Sequence, residues 1–168
     1  MNGISISLVQ LLFKGVPEGF LMTLSFHLFT NTKIEWKKLT GLAFINIFIT
    51  YIIRFLPINI GVNTILSLLA LIISFNITYK AQLDVVVRSI ITAFAVMTMV
   101  VIAETINYLL LHLWFGRDKT YELLGGTSEL VKSLATVPST LLLAAFIFLS
   151  YGVMKHFENR KATHGKSQ

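Results

Sequence analysis

SIITAFAVMTMVVIAETINYLLLHLWF, residues 89–115, runs for 27 positions with one carboxylate, Glu104, and no Lys or Arg. A helix rising about 1.5 Å per residue needs roughly 20 apolar residues to cross ~30 Å of hydrocarbon, so this stretch is long enough to span a bilayer. Apolar runs lie on either side of it. With this one at 87–115, the spans fall near 5–29, 39–56, 62–80, 87–115 and 134–155. The second is short, which suggests a membrane boundary at Arg54. The fourth is long, as expected of a tilted or protruding helix ending at Trp114. The expected fold is an all-α integral membrane bundle of about five transmembrane helices, one domain over 1–155, with a short polar tail at 156–168.

Composition points the same way. Hydrophobic residues make up 55% of the chain, charged residues 13%, and the mean hydropathy is +0.75, outside the range of ordinary soluble domains. The net charge of +6 does not indicate nucleic acid, because the basic residues sit beside apolar runs rather than along a polar face. Lys33, Lys37 and Lys38 occupy one connection and Lys80 and Arg88 another. Lys155, Arg160, Lys161 and Lys166 lie in the tail. The intervening connections are Leu56-Pro57-Ile58-Asn59-Ile60-Gly61 and a loop where Arg117, Lys119 and Lys132 are balanced by Asp118, Glu122 and Glu129. Five spans put all the uncompensated charge on one side, so the positive-inside rule predicts an outside N-terminus and a cytoplasmic C-terminus. Met1–Leu12 lacks a basic n-region and a small-residue cleavage site, so the first run is read as retained. The expected location is the cell membrane, with several passes and the lipid bilayer as the immediate partner.

Polar residues inside such spans decide which helix faces meet. Glu104, Asn107, Tyr108 and His112 stand at i, i+3, i+4 and i+8, on one helix face. An unpaired carboxylate at that depth costs several kcal/mol or more, so Glu104 needs a partner, and Lys14 and Arg54 are the two cationic candidates. Lys14 and Glu18 are one turn apart around Pro17, flanked by Gly15 and Gly19, a pattern for a local ion pair at a kink. Asn46, Thr50 and Arg54 form a stripe ending near the outer interface. Asn63, Ser67, Ala70, Ser74 and Thr78 follow i, i+4, i+7, i+11 and i+15, a narrow seam read as helix packing. In the loop at 116–133, Asp118 and Ser128 are placed to cap helical turns on either side of Gly125-Gly126, so an interfacial turn of helix is expected there.

Catalytic patterns do not emerge. The chain has no Cys and no His-Glu-x-x-His motif, and Gly125-Gly126-Thr127-Ser128 lacks the Lys of a phosphate loop. Glu18, His27, Glu104 and His112 show no metal-ligand spacing, and His156 and His164 read as solvated. Neither a metal nor any other cofactor is expected.

The run Arg54-Phe55-Leu56-Pro57-Ile58-Asn59-Ile60-Gly61-Val62-Asn63-Thr64-Ile65-Leu66 resembles a stretch in the membrane-embedded N-terminal region of GHKL-class sensor histidine kinases of clostridia and related Firmicutes, which are similar to peptide-pheromone receptors. Pro17-Glu18-Gly19-Phe20, the acid Glu104 late in a long span, and Pro138 in the last span agree with it. The resemblance implies a stand-alone sensor-like module, or one that works through a partner such as a cytoplasmic kinase or regulator, and favours a homodimer. With no catalytic motif, the expected function is a non-enzymatic membrane sensor or signalling module that binds a peptide or other external ligand in a bundle lined by Arg54, Glu104 and Asn107. Fourteen residues follow Met154, too few for a phosphoacceptor helix or an ATP-binding domain. The cytoplasmic C-terminus read from charge matches the side where that family attaches its kinase. Two alternatives stand beside this reading. One is a structural or assembly protein. The other is a substrate-binding subunit resembling those of energy-coupling-factor vitamin transporters, although the first span lacks their Ala-x-x-x-Ala seam.

Overall fold

A computed structural model describes residues 9, 11–54, 56, 60–126 and 128–164, and among these there is no β-strand. A π-helical turn, Leu11–Gly15, leads into α1 (Val16–Thr30), followed by α2 (Trp36–Arg54), α3 (Ile60–Thr78), α4 (Leu83–Gly125) and α5 (Glu129–His164). Among the described residues, three segments are long and apolar enough to cross a membrane: Trp36–Ile53, Leu83–Gly125 and Leu130–Phe157. The apolar part of α3, Val62–Thr78, is shorter. At 15 residues, α1 is about 22 Å long.

The helices turn their apolar side chains outward. Only 22% of the most apolar stretch of each of the three long segments is buried inside the protein, while Phe44, Phe48, Ile77, Phe94, Leu141 and Leu149 are exposed. Exposed apolar side chains in such number are costly in water and unlike the surface of a soluble monomer. In hydrocarbon they form the solvated face, so the chain is an all-α membrane protein.

The short helix α1 is central. It packs on α2, α4 and α5, while α2 pairs with α3, α3 with α4, and α4 most extensively with α5. Phe26 of α1 joins Leu42, Leu68, Leu71, Phe75 and Ala93 in one core cluster. Leu21, Leu28 and Phe29 lie against a second, formed by Ala103, Leu143 and Ile147. A Cβ on Gly19 would stand 2.6 Å from Ile47 Cγ1, so the absence of a side chain there is what lets α1 and α2 approach.

Helix ends follow from local chemistry. Asn31 (φ 55°) and Lys80 (φ 46°) are left-handed. Beyond each, an amide reaches back five residues, Thr32 to the His27 carbonyl and Ala81 to that of Asn76, closing α1 and α3 as Schellman-type caps. Pro17 falls in the first turn of α1, directly after the π-turn. In that first turn the missing N–H of the proline costs least.

Two elements run further than the expected spans. The helix α4 breaks at Gly116 (φ 77°, ψ 172°) and resumes to Gly125, a helical segment in the loop at 116–133. At 36 residues, α5 is about 54 Å long, exceeding the hydrocarbon thickness. Its residues 156–164 do not fold alone but propagate a helix already formed, which requires no new nucleus.

Candidate functional site

The polar face expected on α4 looks into a half-open cleft of about 160 Å³ where the π-turn, α4 and α5 meet. Lys14 Nζ lies 2.6 Å from Glu104 Oε1 across it, the Lys side chain largely buried and the Glu half exposed. Of the two cations weighed for Glu104, the structure brings up Lys14. The π-turn Leu11–Gly15 carries Lys14 and leads directly into α1.

Asn107 closes the floor. It is buried, and its Nδ2 donates to the Ala135 carbonyl at 2.9 Å, tying α4 to α5 three residues before Pro138. Proline removes a helical N–H and crowds the preceding turn, and two side chains in this stretch bond nearby backbone carbonyls. Thr136 Oγ1 donates to the Ser133 carbonyl at 2.9 Å, and Ser139 Oγ to that of Thr136 at 2.7 Å. Both side chains line the cleft. Because their protons are committed to the backbone, their oxygens are left as acceptors toward the cleft.

The roof comes from the segment after Gly116. That glycine has a dihedral pair reserved almost entirely for Gly, and the chain doubles back so that Leu124 lines the cleft and Tyr121 comes beside Tyr108. Thr120 becomes buried, its Oγ1 donating to the Gly116 carbonyl. Tyr108 also stacks on His112, ring centroids 6.2 Å apart. Beneath the cleft, sharing Glu104 and Ser139 with it, is a void of about 10 Å³ lined by Glu18 and Thr140. It has room for about one water-sized sphere, and Thr140 Oγ1 there has no protein partner.

Lys14, Glu104, Asn107 and Tyr108 therefore converge, and Glu18 lines the adjoining void. Arg54 closes α2, which packs on α1 and α3, and its side chain lies outside the described residues, as do Phe55 and Pro57 to Asn59 of the Arg54–Leu66 run. Of the α3 seam, Asn63 is buried with its Oδ1 unpaired, and Ser67, Ser74 and Thr78 are half-buried, Thr78 donating to the Ser74 carbonyl. The face of α3 that enters the core is Leu68, Leu71 and Phe75.

Sequence reasoning missed Leu124, Thr136, Ser139 and Thr140. It also missed a second polar constellation at the opposite end of the bundle. His27, fully enclosed, has its Nε2 2.7 Å from the Tyr79 hydroxyl. The imidazole meets Phe75 and Tyr79 edge to face at 5.1 and 4.7 Å. Lys38 lies over the Tyr79 ring at 5.6 Å and 2.9 Å from Glu35. Nearby, Asn76 Nδ2 donates to Ser89 Oγ at 2.9 Å, joining α3 to α4. The available signal was the recurrence of His27, Tyr79 and Lys38 at the ends of three apolar runs. No group of His, Asp and Glu among the described residues is arranged to hold a metal ion.

No family model, curated protein or solved structure matches the chain.

Proposed function

We propose that this protein is a membrane sensor module of five spans, with the N-terminus outside and the C-terminus in the cytoplasm. It binds an external ligand in the Lys14–Glu104 cleft and signals through a cytoplasmic partner such as a kinase or regulator. The observation that carries the reading is the ion pair itself, two charged groups from separate segments meeting at the rim of a half-open cleft. Intramembrane charges are expensive and cluster where ligands, ions or protons are handled. The distribution of Lys and Arg sets the orientation, and on that orientation the cleft opens in the outer half. The resemblance to the sensor region of GHKL-class histidine kinases agrees with it.

One helix links input to output. Thr136 and Ser139 of α5 line the cleft, and the same helix runs on to His164. A ligand that binds one arrangement of the α4–α5 wall more tightly shifts the population toward it, and the far end of α5 moves with the wall. The cleft volume of about 160 Å³ is well below the roughly 300–1,000 Å³ of drug-sized sites. It takes a small molecule or one side chain of a peptide.

The test is a topology reporter at Gly125 and after Gln168, followed by recovery of partners through the C-terminal tag. A cytoplasmic C-terminus with an associated histidine kinase or response regulator is the expected result. An outside C-terminus overturns the orientation, and recovery of ATPase subunits makes the protein a transporter component.

A further inference from the structure

Resting on the cleft as a ligand site, we infer that its ligand is a small zwitterion of the α-amino acid class, its carboxylate taken by Lys14 and its ammonium by Glu104 with the Thr136 and Ser139 hydroxyl oxygens. The first argument is electroneutrality. Lys14 and Glu104 satisfy each other at 2.6 Å. A ligand of one sign replaces one partner and strands the other, and for Lys14, whose side chain is largely buried, that is a loss comparable to breaking a partly buried ion pair. A ligand bearing both signs inserts between them and leaves each charge paired.

The second argument is the inventory of donors and acceptors. Glu104 offers only acceptors. Thr136 Oγ1 and Ser139 Oγ have given their protons to backbone carbonyls, so they accept as well. Against these stands one strong donor, the Lys14 ammonium. The Asn107 amide donor is already given to the Ala135 carbonyl, and the Tyr108 hydroxyl is a further neutral group of the lining. A carboxylate and two hydroxyl oxygens facing one cationic donor suit an ammonium and a carboxylate on the same molecule. Size is the third. The cleft of about 160 Å³ is the space of roughly five waters at ~30 Å³ each, enough for a ligand of about six to ten non-hydrogen atoms. Leu124 supplies the apolar wall for its side chain.

The experiment is equilibrium binding to the full chain in lipid nanodiscs of phosphatidylcholine and phosphatidylglycerol. The probes are the common α-amino acids, each beside its carboxamide, which mimics a peptide N-terminus, and its N-acetyl form, which mimics a peptide C-terminus. At least one small zwitterion binds, and each blocked form binds about tenfold more weakly or worse, the loss of one charge-assisted hydrogen bond. Lys14→Met and Glu104→Gln weaken binding by about as much, whereas Thr105→Val, on the exposed side of α4, leaves it unchanged. The inference is overturned if no panel member binds, if a blocked form binds as well as its parent, or if either charge variant binds like the unmodified chain. Should those variants not fold, the blocked forms tested on the unmodified chain decide alone. A spin label at Arg160→Cys separates this from the sensor reading. Zwitterion binding without movement of the label sinks the sensor reading and leaves the site standing. A label that answers only to ligands of another class does the reverse.

Discussion

The two ends of the bundle solve the problem of buried polarity in opposite ways. At one end, Phe26, His27, Phe75 and Tyr79 interlock edge to face, the helices stop at left-handed caps, and the polar contacts are held within tightly packed rings. At the other, Lys14 and Glu104 meet over an open cleft. The walls there draw on the π-turn, the segment after the Gly116 break and the turn of α5 that carries Pro138. Packed aromatic ends resist change because interiors of this density have few alternative arrangements. Irregular helical turns with polar linings are where membrane proteins keep adjustable sites. The difference assigns anchoring to the first end and adjustment to the second.

The largest expected effect falls at the anchored end. Phe75 is completely enclosed and touches Phe26, His27 and Tyr79. Its replacement in Phe75→Ala removes the ring about which the others pack and lowers stability by about 3 kcal/mol. The measurement is an SDS unfolding titration in mixed micelles. A loss below about 1 kcal/mol would mean that this end collapses around the gap and is no more rigid than the cleft.

Next comes the roof of the cleft. Around Gly116 a Cβ meets nothing within 4 Å, so Gly116→Ala introduces no clash and reports on the backbone alone. At φ 77° and ψ 172° an L residue is strained by about 1–3 kcal/mol. The fold-back segment is expected to open, breaking the Tyr108–Tyr121 contact while the Phe75 cluster stays intact. Distances between labels at Tyr121 and Leu134, with and without the substitution, check this. An unchanged distance would show the roof held by contacts stronger than the strain.

Much of the cleft was legible in the sequence, and the part that was not has a physical reason. A carboxylate in a span needs a partner, so Glu104 pointed to a cation, and helical spacing put Asn107 and Tyr108 beside it. The opposite wall gave no such sign. Ser and Thr in apolar helices ordinarily bond the carbonyl one turn back, as Thr98 and Thr105 do at exposed positions of α4, so Thr136 and Ser139 look the same whether or not they line a site. The His27–Tyr79 bond joins residues 52 positions apart, a distance across which periodicity carries no information. On α3 the polar residues at helical spacing are buried or half-buried, and beside them Leu68, Leu71 and Phe75 enter the core. Membrane spans are apolar all round, so hydropathy does not mark which face is inward.

The ion pair ranks third. With one partner largely buried and the other half exposed, its strength lies between the 3–5 kcal/mol of breaking a buried pair and the near zero of a surface one. A double-mutant cycle over Lys14→Met and Glu104→Gln is expected to give a coupling of about 1 kcal/mol. A coupling near zero would leave the two charges independent.

The smallest effect tests whether hydrogen bonds or rings hold the anchored end. Asn76 Nδ2 donates to Ser89 Oγ at 2.9 Å while also reaching the Ile72 carbonyl, so Ser89→Ala removes the interhelical contact without orphaning the Asn76 donor. Such bonds between membrane helices average about 0.6 kcal/mol, because the separated helices find other partners for the same groups. Ser89 is also fully buried, and the loss of its oxygen leaves a gap far smaller than a phenyl ring, so the packing term is minor. The same SDS titration should give a decrease of about 0.6 kcal/mol, several times less than Phe75→Ala. Were Ser89→Ala to match the phenylalanine variant, the α3–α4 contact would depend on its polar link, and the rigidity assigned to interlocked rings would belong to the hydrogen bond instead.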